Sequence, residues 1–152
     1  MKRAHQIAVS VFVQDGEDEA AIVAALRQLF PFGLAEEKIA LERKTAAGFH
    51  DLPIVIYEAR LAKEKHTSAF LDALIGRLDR GQRQLIADEA ILRVDDACSF
   101  FLRLDKAALL QGKYGITNGG SCFHIKMSIA AFPKKKERAV EVVKGMLAPV
   151  DL

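Results

Sequence analysis

The chain has 152 residues, of which 51% are hydrophobic and 28% are charged. This composition is typical of a globular protein rather than of a disordered one. The formal net charge is only +2, so any binding of nucleic acid must depend on a local cluster of cations. Two cysteines are too few for a disulfide scaffold, and we expect Cys98 and Cys122 to be reduced thiols.

The N-terminal segment has some apolar character but lacks the features of a signal peptide. Its apolar run is interrupted by Gln6 and Ser10 and ends in acidic residues. No stretch approaches the roughly 18 apolar residues that a membrane helix requires. The sequence therefore predicts a single domain over residues 1–152, located in the cytoplasm and without membrane contact.

The first predicted strand covers residues 4–13, where apolar and mixed positions alternate. The two faces are formed by Ile7, Val9, Val11 and Val13 and by Gln6, Ala8, Ser10 and Phe12. Asp15 or Gly16 is predicted to cap a helix with acidic residues in its first turn. An apolar stripe at helical spacing follows, and Pro31 and Gly33 end the helix.

The middle of the chain is predicted to form a hairpin and two helices. Strands are expected at residues 38–46 and 54–62, separated by a loop with Gly48 and Pro53. A helix is expected over about 67–78, with Thr67 or Ser68 as its cap. A shorter helix runs through residues 85–86.

The last third is predicted to hold two strands and a final helix. A strand over about 97–104 buries Phe100, Leu102 and Leu104, and residues 106–110 suggest one helical turn. A turn at residues 118–120 precedes the most regular strand of the chain, and Pro133 is expected to open the last helix. This order predicts an α+β fold, a two-layer sandwich whose antiparallel sheet has helices packed on one face.

Catalytic and metal-binding motifs are not evident. The four histidines and two cysteines lack the spacing of zinc ligands, and the histidines are expected to be scattered over the surface and loops. There is no nucleophile elbow, phosphate loop or dinucleotide fingerprint. The sequence therefore predicts a protein that is not an enzyme and has no cofactor or metal.

The strongest local cluster of positive charge consists of Lys134, Lys135, Lys136 and Arg138, at the start of the last helix. Free backbone N–H groups at a helix N-terminus favour anions, and lysines beside them add to that preference. The cluster predicts a phosphate-binding site. A solvated first turn is the alternative interpretation.

The exposed face of the predicted sheet carries aromatic and cationic side chains. The outward positions include Phe12, Arg60, Phe101, Arg103, His124 and Lys126. Rings that stack bases and cations that hold phosphates are typical of platforms for single-stranded RNA. The alternatives are that a helix covers these residues or that they are buried in a homodimer.

Four segments together resemble an archaeal RNA-binding family that is described as a predicted exosome subunit. They are AHQIAVSVFVQDGEDEAAIVAAL (4–26), HDLPIVIYEARL (50–61), FLRLDKAALLQG (101–112) and AFPKKKERAVEVV (131–143). In the third segment the matching residues are Arg103, Asp105, Lys106 and Gly112. The resemblance implies a fold similar to the ribosomal protein that binds 5S rRNA, and a role in exosome-linked or ribosome-related work.

The sequence and the resemblance together predict a non-catalytic RNA-binding protein whose partners include exosome or ribosome-associated proteins. The residues predicted to bind RNA are Lys134, Lys135, Lys136, Arg138, Arg103, Lys106, Lys126 and, as a stacking residue, Phe101. One alternative is a protein-interaction or homodimerisation module that uses the open sheet face. Another is an enzyme for a small phosphorylated ligand near Lys134.

Overall fold

The structure is a computed structural model. It describes residues 2–148, except for the side chain of residue 49. The strands are β1 (Ala4–Val13), β2 (Leu41–Ala47), β3 (Pro53–Leu61), β4 (Ser99–Asp105) and β5 (Cys122–Ile129). The helices are α1 (Glu19–Gln28), α2 (Glu64–Arg77), α3 (Arg80–Asp88), α4 (Ala90–Arg93), α5 (Lys106–Leu110) and α6 (Lys136–Leu147). None of the described helices is long and apolar enough to cross a membrane.

The five strands form one antiparallel sheet in the order β2-β3-β1-β5-β4. The β2 and β3 strands form the predicted hairpin, with a register that runs from Leu41 opposite Ala59 to Ala47 opposite Pro53. The predicted α+β sandwich with an antiparallel sheet is therefore confirmed.

Alternation along the strands gives the sheet one buried side and one accessible side. In β1 the side chains of Val9, Val11 and Val13 are buried, while Phe12 is 51% exposed. In β4 the buried positions are Phe100, Leu102 and Leu104, as the sequence predicts. The side that faces away from these residues carries exposed positions such as Phe12, which is common in antiparallel sheets.

The chain is grouped into two compact units, the first of which comprises residues 2–7, 61–102 and 126–148. It contains α2, α3, α4 and α6, and α6 packs against α3 and α4. Its core includes the fully buried side chains of Phe70, Leu71, Leu74, Ile86 and Leu102. Burial of each large apolar side chain stabilises the fold by roughly 1.5–3 kcal/mol.

The second unit comprises residues 8–60 and 103–125. It contains α1, the β2–β3 hairpin and α5, and α1 packs against α5. Its core includes the fully buried side chains of Ile22, Leu26, Leu104, Phe123 and Ile125.

Three helix starts differ from the prediction. The N-cap of α1 is Asp18, whose carboxylate accepts a hydrogen bond from the Ala21 N–H at 3.1 Å, so Glu17 lies outside the helix. The α2 helix begins at Glu64, one turn earlier than predicted. Thr67 does not cap it, because its hydroxyl donates to the Glu64 carbonyl within the helix at 3.2 Å.

The last helix begins at Lys136 rather than at Pro133, which follows a cis peptide bond with Phe132. The preceding residue, Lys135, has extended backbone angles and is the N-cap. Lys134 and Lys135 therefore precede the helix instead of forming its first turn.

The buried polar residues include one histidine that the sequence places wrongly among the surface and loop histidines. His66 is only 4% exposed and lies on the inner side of α2. Both cysteines are buried and, within the described residues, unpaired with each other.

Candidate nucleic-acid interface

The basic segment, defined as Lys134, Lys135, Lys136 and Arg138, lies at the surface immediately before and within the first turn of α6. Lys134 and Lys135 are exposed, and Lys136 is half-buried. Within residues 2–148 neither Lys134 nor Lys135 forms an ion pair. These two ammonium groups precede the N-terminus of α6, where first-turn N–H groups and the helix dipole favour an anion.

Arg138 differs from the lysines because its guanidinium already has partners. It contacts a Glu141 carboxylate oxygen at 2.7 Å and donates to the Phe132 carbonyl at 3.2 Å. The side chains of Arg138 and Glu141 are both mostly exposed. Exposed pairs of this kind contribute only about 0–1 kcal/mol, so a phosphate can replace Glu141 at small cost.

The structure brings together two residues that the sequence predicts on neighbouring strands. The Lys126 ammonium lies over the ring of Phe101, 5.8 Å from its centroid. Lys126 is exposed and Phe101 is half-buried. The pair is a cation–π contact on the accessible side of the sheet, and a base that stacks on Phe101 has to share the ring with Lys126.

Lys106 is the predicted binding residue whose position differs most from the expectation. It is 4% exposed, and its ammonium donates to the Phe12 carbonyl at 2.7 Å. The same ammonium contacts both carboxylate oxygens of Glu17, at 3.0 and 3.2 Å. A phosphate cannot reach this group without displacing Glu17, so Lys106 is placed as a structural residue that ties α5 to the end of β1.

Glu17 is held in its ionised form by the same contacts. Burial alone would raise the pKa of Glu17, but the Gln14 N–H and the Lys106 ammonium outweigh it, and the pKa is lowered. The Gln14 N–H donates to this carboxylate at 2.8 Å. The sequence places Glu17 in the first turn of a helix and gives no signal for this role.

The other residues of the 103–112 segment also stabilise the backbone. The Asp105 carboxylate caps α5 by accepting a hydrogen bond from the Ala108 N–H at 2.9 Å. Gly112 ends the helix with a φ of +77°, a conformation that glycine adopts without strain. This part of the third segment that resembles the family therefore contains a capped helical turn as well as charged side chains.

Arg103 is exposed and holds the turn that precedes β5. Its Nη1 atom donates to the Asn118 carbonyl at 3.2 Å and reaches the Gly119 carbonyl at 3.5 Å. A guanidinium carries five N–H donors, so these contacts orient the group and leave donors for a ligand.

Beside Arg103 the sheet surface has a cavity of about 290 Å³. We name it the Phe12 cavity. Its lining residues are Ser10, Val11, Phe12, Arg103, Gly120, Cys122 and His124. Burial raises the pKa of the Cys122 thiol, so this wall of the cavity is uncharged near neutral pH. The cavity combines apolar surface with one permanent cation, and sequence alternation alone does not reveal it.

A third polar cluster ties α1 to the hairpin. The Tyr57 hydroxyl donates to Glu19, and the Arg43 Nε atom donates to Glu19 at 3.0 Å and to the Tyr57 hydroxyl at 3.2 Å. The hydrogen bond to Glu19, with burial second, raises the pKa of Tyr57. The hydrogen bond from Arg43 is the main cause that lowers the pKa of Glu19. A neutral phenol beside an ionised carboxylate fits a structural link between these elements.

The predicted residues thus fall into separate groups. The lysines of the basic segment are consecutive and accessible, Phe101 and Lys126 are in contact, and Arg103 lines a cavity. In the part of the chain that the structure describes, no group of three or more histidine, cysteine, aspartate or glutamate side chains could hold a metal ion.

Comparison with protein families gives a match that covers most of the chain. Residues 6–129 match the model of a family described as RNA binding. The matched range includes both strands that carry Phe101, Arg103 and Lys126, and it ends before the basic segment.

Individual relatives support the match over nearly the whole length. The chain is 28% identical over 149 residues to the RNA-binding protein PAB1135 of Pyrococcus abyssi, which covers 98% of this chain and 97% of that protein. The structure of Mth689, a DUF54 protein from Methanothermobacter thermautotrophicus, has 30% identity and a TM-score of 0.77, with 96% and 99% of the two chains covered. The structure of AF2318 from Archaeoglobus fulgidus supports the fold. Its TM-score is 0.84 at 24% identity, and the match covers 94% of this chain and 99% of that chain.

Proposed function

This chain belongs to the RNA-binding family, and from that premise we propose that it is a non-catalytic protein that binds RNA. The observation that carries the proposal is the exposure of cationic and aromatic side chains on the strands inside the family match. Arg103 and Lys126 are exposed there, and Phe12 is 51% exposed. Proteins that bind single-stranded RNA combine stacking rings with cations in this way.

The basic segment contributes the sequence-independent part of the binding. Lys134 and Lys135 neutralise phosphates, and the first-turn N–H groups of α6 donate to phosphate oxygens. Each neutralised phosphate releases counterions, so the affinity falls steeply as salt is added. Arg138 joins this group when it exchanges Glu141 for a phosphate.

The cellular role that we propose is that of an accessory factor in RNA processing or exosome-linked metabolism in the cytoplasm. Its support is the resemblance carried by the four sequence segments together with the family match. Exosome or ribosome-associated proteins are the partners that this role implies.

Fluorescence anisotropy tests the proposal with two labelled probes, a structured RNA and a single strand of matched length, each at about 50 and 200 mM salt. We expect binding at micromolar protein or tighter that weakens at least tenfold between the two salt concentrations. A preference for the single strand indicates the sheet face, whereas equal binding of both probes indicates the basic segment.

Absence of binding to either probe at micromolar protein would contradict the proposal. A homodimer in light scattering that the Phe101→Glu substitution dissociates would then favour the protein-interaction module. In a symmetric dimer each copy presents the same patch, so a contact through this face would also bring cations such as Lys126 of the two copies towards each other.

A further inference from the structure

We propose that the Phe12 cavity receives a single unpaired base of the bound RNA, with the Phe12 ring as its stacking surface. The inference rests on the proposed function and specifies which part of the RNA the sheet recognises. The cavity measures about 290 Å³, just below the range of roughly 300–1,000 Å³ found for small-molecule sites. A nucleobase with its ribose fits that scale, whereas a paired duplex does not enter it.

The backbone at Phe12 is held in place, although half of the residue's surface is exposed. The backbone carbonyl of Phe12 accepts a hydrogen bond from the buried Lys106 ammonium at 2.7 Å. Val11 and Val13 on either side are buried, which orients the Phe12 side chain towards the accessible side of the sheet. The ring is therefore presented to solvent from a rigid strand, and no ordering of the backbone is needed when a base stacks on it.

The cavity also offers hydrogen-bonding groups to the edge of a base. Ser10 supplies a hydroxyl and Arg103 supplies guanidinium N–H donors, and both side chains line the cavity. Unpaired bases are recognised by such groups on their Watson–Crick and Hoogsteen edges. The sequence specificity of the protein is thus expected to come from this cavity rather than from the basic segment.

Arg103 determines the charge of the ligand that the cavity accepts. Its guanidinium is exposed and is oriented by the Asn118 carbonyl at 3.2 Å. A permanent cation beside an apolar wall favours an aromatic ligand with an attached phosphate. A nucleotide in single-stranded RNA has both parts, which is why we prefer it to an uncharged apolar ligand.

A tryptophan reporter tests the inference, because the chain contains no tryptophan. In the Phe12→Trp protein we expect a single-stranded RNA to quench the fluorescence and a blunt duplex of the same sequence to leave it unchanged. The matched control is Leu85→Trp, since Leu85 in α3 is 47% exposed, close to the 51% of Phe12. The fluorescence of this control should not respond to either RNA.

The Phe12→Leu substitution gives a second readout that does not depend on the reporter. It keeps an apolar side chain at the position but removes the aromatic face, so single-strand affinity should fall about tenfold while duplex affinity is unchanged. Arg103→Gln should weaken the single strand in the same selective way. Circular dichroism confirms that each variant is folded.

The outcomes separate this inference from the proposed function. Binding of single-stranded RNA without quenching at position 12, and without a loss of affinity in Phe12→Leu, would overturn the cavity assignment and leave RNA binding intact. Absence of binding to any RNA by the unaltered protein would overturn both.

Discussion

The segment 103–112 and the basic segment both contain cations that the sequence assigns to RNA, yet the structure uses their charges in different ways. In the first, the Lys106 ammonium contacts Glu17 and the Phe12 carbonyl, and the whole residue is only 4% exposed. In the second, Lys134 and Lys135 extend into solvent before a helix N-terminus. The same side-chain chemistry thus stabilises the fold in one region and remains available for a ligand in the other.

This difference shows that a family resemblance does not by itself separate structural residues from binding residues. Lys106 lies inside the matched range of 6–129, and the basic segment lies beyond it. In a sequence pattern, a lysine that stabilises the fold cannot be told from a lysine that is free to bind a phosphate. Burial and hydrogen-bond partners distinguish the two cases.

The largest effect that we expect is on stability, in the Lys106→Met protein. Methionine fills the space but removes the ammonium that donates to the Phe12 carbonyl and pairs with Glu17, which keeps its hydrogen bond from the Gln14 N–H. Loss of one partner of such a contact lowers the unfolding free energy by about 2–3 kcal/mol. The loss is not larger because Glu17 stays partly solvated. Urea unfolding followed by circular dichroism measures the change.

The matched control for this prediction is Lys113→Met, which alters an exposed lysine just beyond α5. It should change the unfolding free energy by no more than about 0.5 kcal/mol. Equal stability of the Lys106→Met and Lys113→Met proteins would show that Lys106 is not the structural residue described above.

A smaller effect is expected on the acid side of the stability profile. Because the pKa of Glu17 is lowered in the folded protein, its contribution is complete above the unfolded value of about 4.5 and is lost as the pH falls through the folded pKa. The difference in stability between the natural protein and Lys106→Met should therefore shrink between pH 7 and about pH 3.5. A constant difference over this range would show that the Lys106 contact does not involve the ionised carboxylate.

Much of the sheet is predictable from the sequence because strand alternation is a local property. The alternation of apolar and polar residues in 4–13 and 99–105 correctly predicts that Phe100 is buried and that Phe12 and Arg103 are exposed. The helical turn at residues 106–110 is also confirmed, as it follows from the capping residue and a short apolar run. Each of these features depends on neighbours within a few residues.

The remaining features depend on contacts between distant parts of the chain. Lys106 meets Glu17 across 89 positions of sequence, and the Phe12 cavity is assembled from three separate segments. The sequence does not predict the start of α2 at Glu64, because Thr67 is a residue type that often caps helices. In the structure its hydroxyl donates to the Glu64 carbonyl within the helix instead. Local patterns contain no information about such pairings.

The central claim is that the lysines before α6, rather than Lys106, neutralise RNA phosphates, and one paired measurement of affinity tests it most directly. The double substitution Lys134→Glu and Lys135→Glu is compared with Lys38→Glu and Lys63→Glu, which changes the net charge equally at exposed sites elsewhere. We expect the first pair to weaken RNA binding about tenfold at low salt and to lower the salt slope by about 1–2, with little change in the second. Equal losses of affinity in the two proteins would show that only the net charge matters and would contradict the assignment of the basic segment.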